Sequence, residues 1–469
     1  MVNGRRDIFA RVAVLLLAAT VLTAIAWTRG AEYDEQYTSF VTSGTPRPVW
    51  PVGVLRAGDV SAVQRGHVGP WTVAANLRRT DVHPPLYFWA VAAWRWGVAD
   101  GPFAIRLLSV LFALGALAVV GMVARRCDIP PASAMLLTLG CYGFAYTAAI
   151  ARGFALAELL TLCGLLAVLA RRGWVGGMAL GAAVATNYLA CFVGAAIFLG
   201  AGRQRWRLAA GALPGVALAG WFFLGQRGSR AGQFPPFEVL AAAKRLAQYS
   251  AANLTGGLPL YVPSAVRPVT GAVLALGVLA VLALATRRPR WRLIGAAVAP
   301  PFGLVALGLA FDNMPIELRY LSFATPFVAL LVAGARLPRA VLACVFAVQV
   351  LSVGGLIVRS ETMQPAKSAA GAAAGQGVVL LPRGNDGVGV VGAFAAEVPV
   401  DTPLLIVAPD ETAADIRRRL GPFQRVVLAG LAVDADSRAA VAALSAALDD
   451  AVWRVAGLGG DVRVFERRE

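Results

Sequence analysis

Lysine is nearly missing from this chain: Lys244 and Lys367 are the only two in 469 residues. Histidine is as scarce, with His67 and His83 alone, and charged residues make up 15% against 58% hydrophobic. A soluble core of this size cannot hide so much apolar surface, so the composition excludes an ordinary soluble protein and calls for membrane spans. The formal charge of +17 does not point to nucleic acid, because the arginines sit in short clusters between apolar stretches, as topology determinants do. Five cysteines, with no C-x-x-C spacing, lie in or beside apolar segments. That excludes a zinc or disulfide framework and leaves them as packing residues.

What the chain does have is long apolar runs. Ile8 to Trp27 follows Arg5 and Arg6 and is long enough to cross a hydrocarbon core of ~30 Å at ~1.5 Å per residue. Ala24-Ile25-Ala26 resembles a signal-peptide cleavage site, but the run is longer than a usual signal core and reads as an uncleaved first span. Further runs lie at 103–124, 132–150, 154–170, 173–202, 208–225, 269–286, 292–311, 318–335 and 339–358. The stretch 173–202 is flanked by Arg171 and Arg172 on one side and by Arg203, Arg205 and Arg207 on the other. If both clusters are cytoplasmic the chain crosses twice between them, as two short helices turning near Thr186-Asn187-Tyr188.

Eleven spans result. Alternate loops then hold Arg5 and Arg6, Arg125 and Arg126, Arg171 and Arg172, Arg203 to Arg207, Arg287 to Arg292, and Arg336 with Arg339. The N-terminus is expected in the cytoplasm and residues 360–469 outside. This tail carries net −3, leaving +20 for residues 1–359. Apolar runs at Gly377–Leu381, Leu404–Val407 and Arg425–Leu428, alternating with helical patterns at Thr412–Leu420 and Ser437–Leu448, predict a small soluble α/β domain. No G-x-G-x-x-G fingerprint is read after any of these strands, so the domain is assigned no nucleotide.

Candidate chemistry gathers in the first outer loop, residues 28–102. Glu32-Tyr33-Asp34-Glu35 sets three carboxylates just past the first span, where one could take a proton from a sugar hydroxyl as general base. The bland alternative is a solvated acidic loop. Downstream, Asp81-Val82-His83-Pro84-Pro85-Leu86-Tyr87 leads into a short aromatic helix expected to end near Trp96 and to lie flat at the headgroup interface, with Asp81 and His83 facing the carboxylates. Asp34, Glu35, His67, Asp81 and His83 are ligand types for a divalent cation, with Glu35, Asp81 and His83 the leading candidates, but their spacing is not that of a metal motif. Arg152 and Glu317-Leu318-Arg319-Tyr320 fall at the outer ends of spans, where an arginine fork suits a lipid phosphate; snorkelling, or pairing with Glu158, is the plain alternative. An amphipathic stretch from Pro235-Pro236 to Tyr249, in the outer loop 226–268, would cover the site or lie at the interface.

Asp34-Glu35, Asp81-x-His-Pro-Pro-Leu-Tyr-Phe, Arg106-Leu-Leu-Ser109, Ala151-Arg152-Gly-Phe-Ala155 and Leu318-Arg319-Tyr320, in this order, resemble the GT-C superfamily of polytopic glycosyltransferases. The likeness is to bacterial members related to protein O-mannosyltransferases and the lipid A aminoarabinose transferase, and it spans most of the membrane part. It implies a polyprenyl-phosphate sugar donor, an envelope glycan, lipid or protein acceptor, inversion at the anomeric carbon, Asp34 as catalytic carboxylate with Glu35 completing the pair, and His83, Arg152 and Arg319 on the donor phosphate, supported by Asp81, Tyr87, Glu317 and Tyr320. His83 departs from the family, which has a phosphate-contacting lysine before Pro-Pro. Competing readings are a non-catalytic transporter of lipid-linked glycans, which would place ionisable groups mid-membrane, and an envelope assembly protein, for which Asp34 would be dispensable.

Overall fold

Six helices of the computed structural model are long and apolar enough to cross a membrane: Asp7–Thr28, Pro102–Arg126, Gly202–Gly225, Arg267–Ala285, Trp291–Phe311 and Arg339–Val358. Five shorter apolar helices accompany them, at Pro131–Gly140, Phe154–Leu169, Gly173–Val184, Ala190–Leu199 and Leu318–Ala333. The protein is therefore a helical polytopic membrane protein with a small strand-containing C-terminal region. The described residues are 2–226, 234–256, 262–285, 290–335, 337–359, 361, 366–449 and 451–468, with side chains from residue 7 onward. Arg287, Arg288, Arg336 and parts of the loop 226–268 lie outside them, as do the Arg5 and Arg6 side chains.

Each of the eleven expected apolar segments contains helix, yet five are too short to span on their own length. Two are broken internally. The run 132–150 divides into Pro131–Gly140 and Tyr142–Ala148, because Cys141 turns to an extended conformation. The run 318–335 opens as a 3₁₀ turn, Leu318–Ala324, and becomes α-helical at Thr325, with Pro326 in the first turn, where its missing N–H costs nothing. Gly173–Val184 and Ala190–Leu199 occupy the two halves of 173–202, with the break at 185–189.

Backbone-to-backbone packing holds the Gly173–Val184 helix against Arg205–Gly225. A Cβ on Gly177 would lie 2.1 Å from Leu208 O, and one on Gly215 2.2 Å from Gly181 C. Gly177 with Gly181, and Gly211 with Gly215, form the small-xxx-small stripe that lets helices approach closely in lipid, where no hydrophobic drive separates apolar neighbours from solvent.

The chain divides into two units, and not where the sequence suggested. One comprises residues 1–28, 77–87 and 103–359; the other comprises 29–76, 88–102 and 360–469. Most of the first outer loop thus belongs with the tail. The second unit is built on a six-stranded sheet of order β1-β3-β2-β4-β6-β5: β1 Leu55–Arg56, β2 Val378–Pro382, β3 Pro403–Val407, β4 Arg425–Ala429, β5 Trp453–Gly459 and β6 Val462–Arg467. The central β3, β2 and β4 are parallel; β1 joins β3 antiparallel, Leu55 opposite Leu404, and β5 and β6 close the far edge.

Alternation along the strands makes two apolar faces. Val379, Leu381, Leu404, Ile406 and Val427 pack with helices Ala366–Ala373 and Gly389–Glu397 and with Phe40, Ala57 and Val60 of the first loop. Leu380, Leu405, Val426 and Leu428 pack with Ile416, Leu420, Ala440 and Leu444 of helices Ala413–Leu420 and Ala435–Ala447. One expectation for this domain needs correcting. Gly387-Val388-Gly389-Val390-Val391-Gly392, which runs from the turn after β2 into the first residues of the Gly389–Glu397 helix, does have G-x-G-x-x-G spacing.

Candidate active site

In the first unit, Asp81 and His83 lie in the turn before the Leu86–Gly97 helix, which starts straight after Pro84-Pro85. The turn is pinned by Gln226, at the end of the Arg205–Gly225 helix. Its fully buried amide donates to His83 O at 2.8 Å and to Leu77 O at 3.1 Å, while Tyr188 Oη donates to Gln226 Oε1 at 2.9 Å. Leu86 N–H donates to Ala185 O at 3.0 Å, tying the turn to the helical break at 185–189. Gln226 was not legible as a site residue; its only signal in the sequence is a polar residue ending an apolar run.

Asp81 is 5% exposed. Its Oδ1 accepts from Val82 N–H at 2.6 Å and lies 2.7 Å from His83 Nδ1, and because a carboxylate only accepts, Nδ1 carries the hydrogen. Burial pushes the Asp81 carboxyl upward, but the charge and hydrogen bond of His83, the Arg152 guanidinium and the Val82 N–H together outweigh it and hold the group down at about 2.

One Arg152 nitrogen sits 3.0 Å from His83 Nδ1 and 3.2 Å from Nε2. An in-plane approach at such distances from both ring nitrogens would collide with the carbon between them, so the guanidinium lies over the ring face. The buried Arg152 is thus fixed by the imidazole, which Asp81 orients in turn. Glu158, the acid considered for Arg152, is buried within Phe154–Leu169, beside Ser322.

The Leu318–Ala324 turn extends the cluster. Glu317 pairs with Arg319 at 2.5 Å, the Arg319 guanidinium lies 5.3 Å from the centre of the Tyr320 ring, and Tyr320 is within electrostatic reach of Arg152. Phe154 packs on Tyr320 and Phe323, and Asn253 Nδ2 donates to Leu318 O at 2.7 Å. Asn253, Leu321 and Ala324 also line an apolar cavity of about 450 Å³, with Leu279, Ala297 and Leu331. Tyr87 is placed differently: its hydroxyl meets Ser109 Oγ at 2.9 Å, while Arg106 donates to Ala26 O at 3.1 Å, so both ends of the Arg106-Leu-Leu-Ser109 motif are tied to other helices.

Asp34 and Glu35 belong to the second unit, on the first turn of the Tyr33–Ser43 helix. Glu32 caps that helix and Glu35 Oε2 accepts the Glu32 N–H at 3.1 Å, a reciprocal capping box; Arg29 forms an ion pair with Glu32. Glu35, expected as the second member of a catalytic pair, is buried and committed to this cap. Asp34 is half-buried. Carboxylates on a first turn are favoured by the helix dipole. At the other end, Arg95 donates to Ser39 O at 2.9 Å and Thr42 Oγ1 at 2.7 Å, bonds Gln64 O, and pairs with Asp100 at 2.8 Å.

No family model and no curated protein matches the sequence. Among solved structures, the chain resembles ArnT from Cupriavidus metallidurans in the apo state, at 16% identity over 97% of both chains with a TM-score of 0.43. It also resembles ArnT from that organism bound to undecaprenyl phosphate, at 15% identity over 98% of this chain and 97% of the other, with a TM-score of 0.42.

Among the described residues no three or more of His, Cys, Asp and Glu come together as metal ligands. His67 is exposed, Glu35 is engaged in its cap, and Asp81 with His83 is a pair beside a guanidinium. That donor set does not fit a divalent cation.

Proposed function

We propose that the chain is an inverting membrane glycosyltransferase of the GT-C type. It moves a sugar from a polyprenyl-phosphate donor to an envelope glycan, lipid or protein acceptor on the extracytoplasmic face of the cell membrane. The observation that carries this reading is the Asp81–His83–Arg152 cluster. A buried guanidinium held over an oriented imidazole is a pre-arranged partner for a phosphate, whose oxygens match its fork of donors. The nearby Arg319 adds a second cation, and the cavity lined in part by Leu321 and Ala324 has the apolar lining a polyprenyl chain needs. The arginine clusters support an N-terminus in the cytoplasm and a C-terminal domain outside.

In this reading the acceptor hydroxyl oxygen attacks the anomeric carbon and Asp34 takes its proton. The bond to the phosphate oxygen breaks with its electron pair, and the released lipid phosphate keeps its charge against Arg152 and Arg319. Charge develops on that oxygen as the bond breaks, so the arginines lower the barrier as well as bind.

Purified protein in nanodiscs, given radiolabelled polyprenyl-phosphate sugars and an envelope extract, tests this directly. Transfer by the wild type should fall on the order of 10²- to 10⁴-fold in Asp34→Asn, the usual worth of a general base, and Arg152→Ala should weaken donor binding. Donor binding without transfer by the wild type would favour a transporter instead.

A further inference from the structure

The G-x-G-x-x-G run stands where a phosphate cradle would be. β2 lies between β3 and β4, so the carboxyl end of β2 is a topological switch point, and the run begins in the turn that follows this strand and forms the N-terminus of the Gly389–Glu397 helix. In dinucleotide-binding folds such glycines admit a pyrophosphate to the backbone.

Here each glycine faces another part of the same unit. Gly387 has φ +72° and its carbonyl accepts from Trp50 Nε1 at 2.6 Å. A Cβ on Gly389 would lie 3.2 Å from Tyr33 Cβ, and one on Gly392 would lie 2.9 Å from Phe40 Cε2, 2.9 Å from Gln64 Nε2 and 3.0 Å from Gln36 Oε1. The backbone donors of the preceding turn are met by the chain's own carboxylates, Val388 N–H by Asp386 Oδ1 at 3.0 Å and Asn385 N–H by Asp434 Oδ2 at 3.4 Å. The carboxylates of Asp461, Glu32, Glu361 and Asp434 act electrostatically on the buried Tyr33 hydroxyl, a setting unfavourable to an added anion.

Tyr33, Gln36, Tyr37 and Phe40 recur at i, i+3, i+4 and i+7, one face of the Tyr33–Ser43 helix. Tyr33, Gln36 and Phe40 meet the two glycines, and Tyr37 hydrogen-bonds Asp386. We propose that the glycine run is a seat for this helix rather than a nucleotide site, and that through it the C-terminal domain positions Asp34, with Gly389 and Gly392 as positioning residues. Asp34 follows Tyr33, the first residue of the seated face, so a helix lifted or rolled on the seat carries the carboxylate with it. The inference rests on the reading of Asp34 given above.

The test compares full-length Gly392→Val and Gly389→Ala with Gly371→Ala, a glycine of the same domain with open space around it. The seat requires kcat to fall on the order of 10²-fold in Gly392→Val, as for a carboxylate displaced by about 1 Å, and by a smaller but measurable factor in Gly389→Ala, whose Cβ at 3.2 Å from Tyr33 Cβ asks the helix to give less. Donor bound per protein and donor Kd should stay at wild-type values, and Gly371→Ala should be unaffected. Adding Phe40→Leu to Gly392→Val, which shortens the ring facing position 392, should restore most of the kcat; a purely structural defect would not be rescued this way. If Gly392→Val does not fold, Gly389→Ala decides alone. Unchanged kcat in a folded seat variant, or saturable binding of NADH or ADP to wild type that Gly392→Val abolishes, overturns the proposal. An active Asp34→Asn sinks the reading of Asp34 instead, whereas an inactive Asp34→Asn beside fully active seat variants sinks the seat alone.

Discussion

The neighbours of Asp81 hold it ionised. Its carboxyl is held at about 2 against an ordinary value near 4, so its contribution to stability is complete above the ordinary carboxylate range and is lost as pH falls toward 2. A shift of that size corresponds to about 2 kcal/mol. Asp81→Asn should therefore melt below wild type at pH 7, and the gap should close as pH is lowered from about 4 toward 2; a gap that persisted there would mean that Asp81 acts by shape alone. Asp81, His83 and Arg152 were legible as candidates because two histidines and an outer arginine are conspicuous in so apolar a chain. The contact of Arg152 with His83 was not, since residues 69 apart in sequence leave no local pattern. Gln226 was missed for the same reason, its partners Leu77 and His83 lying about 145 residues upstream. Glu35 has a capping role that was readable but not read: Glu32-x-x-Glu35 has capping-box spacing, and Glu35 Oε2 accepts the Glu32 N–H.

Among the elements, the helical runs were readable because hydrocarbon thickness fixes a minimum apolar length and arginines mark the ends. The breaks at Cys141 and Thr325 were not, because apolar residues sit on either side and nothing in hydropathy interrupts the run. The 173–202 hairpin came from charge rather than hydropathy, and the packing of its first half depends on glycine stripes. Gly181→Leu, whose Cβ alone would come within 2.5 Å of Ala212 O, should force the Gly173–Val184 and Arg205–Gly225 helices apart. Overpacking of that kind typically costs about 1–3 kcal/mol. Scanning fluorimetry on the detergent-solubilised protein should register a lower melting temperature than for Gly194→Leu, where a Cβ meets open space; equal melting would remove the stripe from the packing argument.

For the whole molecule, a tail domain was foreseeable from its change of charge and strand-helix alternation, but not that it takes in the first outer loop. β1 is only two residues long, and no periodicity can announce a strand of that length. Phe40, Ala57 and Val60 share an apolar core with the tail strands. Ending the chain at residue 360 should thus leave those side chains uncovered and give protein that elutes as aggregate in size-exclusion chromatography, whereas a monodisperse truncation would show that the first loop needs no such cover. The pairing of Leu55 with Leu404 also sets a schedule for synthesis. About 350 residues separate the two strands, which at roughly 5–20 residues per second is a wait on the order of tens of seconds between the emergence of one and the other. During that interval the first loop has no sheet to join, so the newborn chain depends on whatever shields exposed apolar segments until its last hundred residues arrive.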